Sequence, residues 1–404
     1  MTRSRDIAEI LGLTEAENTD NLSLGAGGGG GSGVTSYAYD SAGALLAADS
    51  SGYEDGSLHY LSKLREMYVW DDSDGGFFKV DELSESKLAA AISNRTNAQG
   101  DVSGYTVGGS AYPPGLYTNI IDKYSFATDG NAVDVGDLAQ NSGYGSGHSS
   151  STYGYVAHGF TNPPTVQSNG IERFSFTSDV NASIMNAQLT RSGYRNAGVS
   201  SDDNAYVLGS ITSSYPAGTP VMDKFSFTSD VNATTAGNLT REISRLSGNN
   251  SITHGYATGG RENNGSQWAN YIEKFPFAAD DNATDVGDLT VGRREAGPSG
   301  SNSSTHGYLA GGKSDADRQA SNVIDKFLFA SDGNATDVGD LSVAKAEHAN
   351  TSSGISGYAA AGYSGQPNNT GGTSIDKFPF ASDTGSTDIG DVTVDRRNMP
   401  SAQV

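Results

Sequence analysis

Ile324-Asp325-Lys326-Phe327-Leu328-Phe329-Ala330-Ser331-Asp332-Gly333-Asn334-Ala335-Thr336-Asp337-Val338-Gly339-Asp340-Leu341 is one of six related passages in this chain. Its opening recurs as Ile121-Asp122-Lys123-Tyr124, Ile171-Glu172-Arg173-Phe174, Met222-Asp223-Lys224-Phe225, Ile272-Glu273-Lys274-Phe275 and Ile375-Asp376-Lys377-Phe378. The aromatic positions advance by 50, 51, 50, 52 and 51 residues. Some fifteen to twenty residues upstream of each lies a second signature, Gly-Tyr-x-x-Gly-Gly or a near relative, centred on Tyr105, Tyr155, Tyr206, Tyr256, Tyr308 and Tyr358. A sequence that repeats must be divided by its period before anything else is read from its length.

Within a unit, short runs of Tyr, Phe, Val and Ile alternate with Gly, Asn, Asp and Ser clusters, and no window sustains a helical period. Each unit therefore reads as four short antiparallel strands. In Asp-Lys-Phe-x-Phe the two aromatics lie two residues apart and share a face, while the isoleucine faces the other way. A strand apolar on both faces needs cover on both sides, which radial stacking of sheets provides. An open sheet of about twenty-four strands would exceed the usual limit. The expected fold is thus an all-β, six-bladed β-propeller over residues 99–404. The tail Arg396-Arg397-Asn398-Met399-Pro400-Ser401-Ala402-Gln403-Val404 matches the first strand of the other units. It is expected to complete the first blade beside the strand holding Tyr105, protecting an edge at the seam.

The polar turn Asp332-Gly333-Asn334, with Asp129-Gly130-Asn131 and Asp280-Asp281-Asn282 as counterparts, reads as a hairpin turn because short polar side chains cap the local backbone. Clustering of Asp332, Asp337 and Asp340 leaves calcium as the sharper alternative, without a known loop-ligand spacing. Asn-Ala-Thr also matches a glycosylation sequon, which has meaning only in a secretory pathway.

The resemblance becomes specific at this point. Gly-Tyr-x-x-Gly-Gly, an acidic-basic-aromatic strand, Asp-Leu-Thr or Asp-Leu-Ser, and an arginine such as Arg191, Arg241 or Arg293 resemble, in their order, the landmarks of kelch repeats. The similarity runs from about residue 100 to 404; near the place of the usual fourth-strand tryptophan stand Val135, Val286 and Val338.

Acids exceed bases by 47 to 25, a net charge of −22, which disfavours nucleic acid and anionic membrane surfaces as partners. With no cysteine, the chain has no disulfide, thiolate metal site or cysteine nucleophile. The opening residues lack the apolar core of a secretory signal, and no run approaches a membrane span, so a product made in a cytosol is expected.

Before the repeats, residues 1–24 read as a docking segment. Ser4 can cap a short helix whose stripe is Ile7, Ile10 and Leu11, and Thr14-Glu15-Ala16-Glu17 reads as a capping box for another turn of helix. A two-turn helix is not stable alone, so the stripe is expected to dock on a partner or a second copy of the chain; a frayed terminus is the bland alternative. Residues 25–33 form a glycine-rich linker. Residues 34–98 read as a small β-hairpin adaptor built on Leu58-His59-Tyr60-Leu61, Glu66-Met67-Tyr68-Val69-Trp70 and the aromatic pair Phe77-Phe78. Tyr68-Val69-Trp70 followed by an acidic-glycine turn resembles short modules of appendage proteins of marine tailed bacteriophages. So do the Ser4-to-Gly12 start and the repeated Phe-Ala-Ser-Asp-Gly-Asn-Ala-Thr-Asp-Val-Gly-Asp-Leu text. The resemblance implies a virion location, with other virion proteins as partners of the N-terminal segment.

Chemistry is harder to find. His254 and His306 occupy one repeated Thr-His-Gly-Tyr place, which favours a structural role over a metal site. Galactose-oxidase-like catalysis needs a cysteine, sialidase-like Asp boxes end in tryptophan, and every candidate carboxylate recurs, so neither a catalytic residue nor a cofactor is assigned. What varies is the segment between the Gly-Gly and Asp-Lys-Phe strands. Loops on a rigid scaffold are the usual seat of recognition, and the aromatics and arginines unique to single units are Tyr112, Tyr117, Tyr215, Arg261, Trp268 and Arg318. For Trp268, folding back over the blade edge is the competing role. The expectation is a non-enzymatic virion appendage for host-surface, glycan or protein, recognition. A structural decoration protein is the first alternative and a polysaccharide depolymerase the second.

Overall fold

The computed structural model describes residues 13–15, 22–24, 36–39, 58–61, 66–71, 76–79 and 100–404, the last without 112–115, 158, 213–217, 264–267, 315–318 and 365–371. They belong to two compact units, Met1–Asn94 and Arg95–Val404.

In the first unit Leu13–Glu15 pairs antiparallel with Leu22–Leu24. This corrects the helical turn expected from a capping box at Thr14: Thr14 and Glu15 lie in a strand. A capping box needs an apolar run behind it, and here Glu17-Asn18-Thr19-Asp20 follows instead. The stripe Ile7, Ile10 and Leu11 and the glycine linker fall outside the described residues. Leu58–Leu61, Glu66–Asp71 and Gly76–Lys79 pair in succession as antiparallel neighbours. Ser36–Tyr39 adds to Leu58–Leu61 in parallel, a pairing with no local sequence signal.

The second unit is all-β, with no helix among the described residues, and its sheets form a propeller-like ring. Five antiparallel sheets each take four strands from one repeat, one of them adding Arg261–Glu262 of the next; the first runs Ser146–Ser149, Tyr153–Ala157, Gly170–Ser175, Ser183–Gln188 in spatial as in chain order. A larger assembly draws on both ends of the repeat region. There Ser401–Gln403 pairs with Ser103–Val107, Ala402 opposite Tyr105, and Leu116–Ser125 and Val133–Gly143 follow outward.

Packing between neighbouring sheets follows from the two-faced third strand. Phe174 and Phe176 enclose Tyr105 of the preceding repeat, with ring centroids 5.3 and 5.1 Å away. The same triad joins Tyr155 to Phe225 and Phe227, Tyr206 to Phe275 and Phe277, and so on round to Tyr358, which meets Tyr124 and Phe126 of the first repeat. On the opposite face Ile171, Ile272 and Ile375 enter the next cluster and are fully buried. The glycine of Gly-Tyr makes room for this aromatic: a Cβ on Gly255 would stand 2.2 Å from the Phe275 ring, and one on Gly307 would stand 2.3 Å from Phe327.

The polar turns are clips between sheets. Asn334 Oδ1 accepts the Asp288 N–H at 3.0 Å, and the Ala335 N–H donates to the Asp288 carbonyl at 2.7 Å. Asn131, Asn181, Asn232 and Asn282 do the same on the strands before them. Asp332, one of the carboxylates weighed for calcium, instead takes Lys274 Nζ at 2.6 Å, and Asp337 caps the Gly339 N–H at 3.1 Å. Lys123 to Asp179 (3.1 Å) and Lys377 to Asp129 (2.8 Å) repeat the ion pair, the latter across the seam. These pairs are exposed on the aspartate side, so Lys274→Ala should cost only about 0.2–1 kcal/mol in urea unfolding, less at high salt. A loss several times larger would show the clip to be more than a solvated contact.

The acid of Asp-Lys-Phe is buried in every repeat and is held by the sheet before it. Asp223 accepts from Thr190 Oγ1 at 2.7 Å and from Arg191 at 3.1 Å. Asp325 accepts from Thr290 Oγ1 at 2.6 Å and from Arg293, which also donates to the Val323 carbonyl at 2.8 Å. Asp376 meets Ser342 and Lys345, and Asp122 meets Thr393 and Arg396. Arg191, Arg241 and Arg293 are thus framework bases: they bind carboxylates, but the protein's own.

Candidate functional site

Strand register decides which loops share a face. Ser146 stands opposite Ala157, Ala157 opposite Ile171, and Gly170 opposite Gln188. The segment between residues 157 and 170 therefore leaves at the same end as the connection into the inner strand at Tyr144. The turns at residues 150–152 and 176–182 lie at the other end. The strand ends that bear the non-repeated segments lie at that first face, and the clip aspartates share the second.

At the centre of the loop-bearing face, six residues at equivalent places close a cycle of backbone hydrogen bonds. The N–H of Arg195 donates to Tyr144, Arg245 to Arg195, Glu295 to Arg245, Glu347 to Glu295, Asn398 to Glu347, and Tyr144 back to Asn398, at 2.6–3.0 Å. All six have φ between 56° and 66°. Left-handed conformation disfavours non-glycine residues by about 1 kcal/mol each; the closed cycle, in which every member both donates and accepts, offsets that cost.

Their side chains line a recess of about 330 Å³, counting its open entrance, together with Leu246 and Pro298. Glu295 is its electrostatic centre. Arg195 and Arg245 donate to its Oε1, and Lys313 reaches Oε2 at 2.9 Å. Burial works against ionisation of Glu295, but the charges of Arg195, Lys313 and Arg245 prevail and hold its carboxyl well below the usual range. Lys313 also binds Glu347 at 2.9 Å; burial pulls its ammonium down, and the two glutamates more than reverse this. Burial lowers Arg245 to about 10, so it stays charged at neutral pH. Arg294 and Arg397 also approach the two glutamates, Nε of Arg294 4.0 Å from Glu295 and Nε of Arg397 3.4 Å from Glu347.

Tyr144 lines one side of the recess, and an aromatic cluster adjoins it there. The Arg195 guanidinium lies 4.6 Å from the Tyr144 ring centre. Around it Tyr117 and Phe160 stack nearly parallel at 6.2 Å, and Tyr194 sits 4.5 Å from Phe160. All four rings are half-buried. Burial, then the neighbouring Tyr144, pushes the Tyr117 hydroxyl up to about 12, so it remains a neutral donor.

Of the residues singled out for recognition, Tyr117 belongs to this cluster. Trp268 lies on the same face but is only 8% exposed: a bridge to Arg261 folds its loop back, and the Arg294 guanidinium covers its ring at 4.4 Å. Arg261 is half-buried beside it. Tyr112, Tyr215 and Arg318 fall outside the described residues. Sequence reasoning missed Arg195, Arg245, Glu295 and Glu347 altogether. Their spacings of 50, 50 and 52 residues match the repeat period, and that regularity was the available signal.

His254 and His306 each engage the threonine before them at 2.8 Å. Two other histidines are sunk near the axis. Burial lowers His148 to about 4, its Nδ1–H donating to the Val199 carbonyl at 3.2 Å; burial and the Lys345 charge lower His348 to about 3. Both are neutral when folded, while their unfolded counterparts take up protons below about 6.5. Unfolding therefore binds protons, and stability should fall as pH drops from about 6.5 towards 4, by up to about 1.4 kcal/mol per pH unit per histidine. Thermal melts of the parent and His148→Gln across that window check this; equal slopes would contradict it.

Comparison with protein-family models and with curated proteins finds no match to this chain.

Proposed function

We propose that the chain is a six-bladed, kelch-like propeller that acts by recognition rather than catalysis, as a bacteriophage virion appendage directed at the host surface. Its N-terminal unit docks on other virion proteins, through the stripe Ile7, Ile10 and Leu11, and neither cofactor nor nucleic acid takes part.

One observation carries this reading. The residues common to all repeats are consumed in holding sheet to sheet, while the described residues that differ between repeats, Tyr117 and Trp268 among them, lie on the face that bears the axial recess. Acids that might serve catalysis, such as Asp223 and Asp325, are bound by framework bases and hydroxyls. A variable surface on an invariant frame is the usual division in binding proteins. Reconstruction of the intact particle tests it: the ring should project with its loop-bearing face outward. A ring whose loop-bearing face is covered by capsid or tail protein would replace recognition with decoration.

A further inference from the structure

Resting on the recognition reading, we infer that the axial recess takes the carboxylate or sulfate of an acidic saccharide, whose sugar ring lies on the adjoining aromatic wall. The chain as a whole carries −22, yet five bases converge on the two glutamates that line this recess: Arg195 and Arg245 belong to the lining, and Arg294, Lys313 and Arg397 reach the glutamates from beyond it. Among the described residues, the acids within ion-pair distance of these five bases at the recess are Glu295 and Glu347. Those two carboxylates are shared: Glu295 alone is approached by four of the bases. A second anion entering the mouth meets guanidinium and ammonium groups already desolvated and oriented, the condition under which charge-assisted hydrogen bonds are strongest. The turn aspartates, clipped at the opposite end of the sheets, leave the approach to this face clear of their repulsion.

Charge alone would suit any polyanion; the wall narrows the choice. Tyr117, Phe160 and Tyr194 present half-buried rings beside Arg195, which itself lies over Tyr144. An apolar ring face next to a fixed guanidinium matches a pyranose that carries its acid group at one edge. Gly145, Gly297 and Pro298 complete the lining, and the acidic substituent is the part that enters while the sugar stays on the aromatic side.

Titration calorimetry of the full chain with trigalacturonate, a 6-sulfated galactotriose and neutral galactotriose tests this and separates carboxylate from sulfate. At least one acidic trisaccharide should bind about tenfold or more tightly than the neutral one, with affinity falling as salt rises. Arg195→Gln should abolish that advantage, and Phe160→Ala should weaken acidic and neutral trisaccharides alike; thermal melts establish that each variant is folded. If Arg195→Gln does not fold, Arg397→Gln takes its place with the same expected loss of preference. Equal binding of the neutral trisaccharide, or an undiminished preference in a folded arginine variant, overturns the inference. Capture of whole host cells without binding of either acidic trisaccharide overturns it while leaving recognition standing. Failure to bind cells as well removes both.

Discussion

Removing Arg396–Val404 should abolish the ring's cooperative unfolding and drive the chain to associate. That segment carries Arg396, fully buried, which donates to Asp122, Thr106 and the carbonyls of Gly108 and Ile120. Its loss leaves Asp122 buried without its base, a change of about 3–5 kcal/mol by itself. Met399, with no exposed surface, leaves the cluster around Tyr358, and Ser103–Val107 becomes an open strand edge. Edges of that kind template pairing with a second chain. Set against a typical total of about 5–15 kcal/mol, the combined loss is most of the stability. Urea unfolding with light scattering should show an early, broad transition and oligomers. A monomer with the parent's midpoint would contradict closure by the tail.

Asp325→Ala should be the most damaging single substitution within a blade junction. Arg293 is 1% exposed and, among the described residues, its side-chain carboxylate contact is Asp325, which has no exposed surface. Without it the guanidinium retains the carbonyls of Gly311 and Val323 but keeps an uncompensated charge in a site without water access. The expected loss is about 3–5 kcal/mol, several times that of Lys274→Ala at the exposed clip. Asp325→Asn, which keeps the shape and one acceptor, should fall between. Equal effects at the buried and exposed sites would show that the seam between sheets is not where the ring's stability lies.

Much of this was legible because the repeat samples one environment several times. Ile and Phe on opposite faces of one strand predicted cover on both sides, and the match of Ser401-Ala402-Gln403 to inner strands predicted its partner. The framework bases were harder to read. Arg191 and Arg241 follow Thr190 and Thr240 directly, whereas Arg293, Lys345 and Arg396 come three residues after Thr290, Ser342 and Thr393, yet each reaches the buried acid of the next repeat. A long flexible side chain can start from either place and end at one carboxylate, so strict alignment hides the equivalence. The recess was invisible for the opposite reason. Tyr144, Arg195, Arg245, Glu295, Glu347 and Asn398 are alike in backbone conformation and unlike in side chain, and a motif search rewards only the second. For Trp268 the polar neighbours favoured exposure over folding back on the blade edge; the Arg294 guanidinium, distant in sequence, lies over its ring and decides for the second.

The proposed recognition role is tested most directly by adsorption of the full chain to cells of the bacterium that the proposed phage would infect, measured for substitutions on the two faces of the ring. Tyr117→Ala and Arg195→Gln, on the loop-bearing face, should reduce adsorption about tenfold or more while the folded protein persists. Asp280→Ala, in a clip at the opposite end, should leave adsorption unchanged. Loss of adsorption through Asp280 with none through Tyr117 or Arg195, or a parent protein that adsorbs to no host cell, would contradict the assignment of recognition to this face.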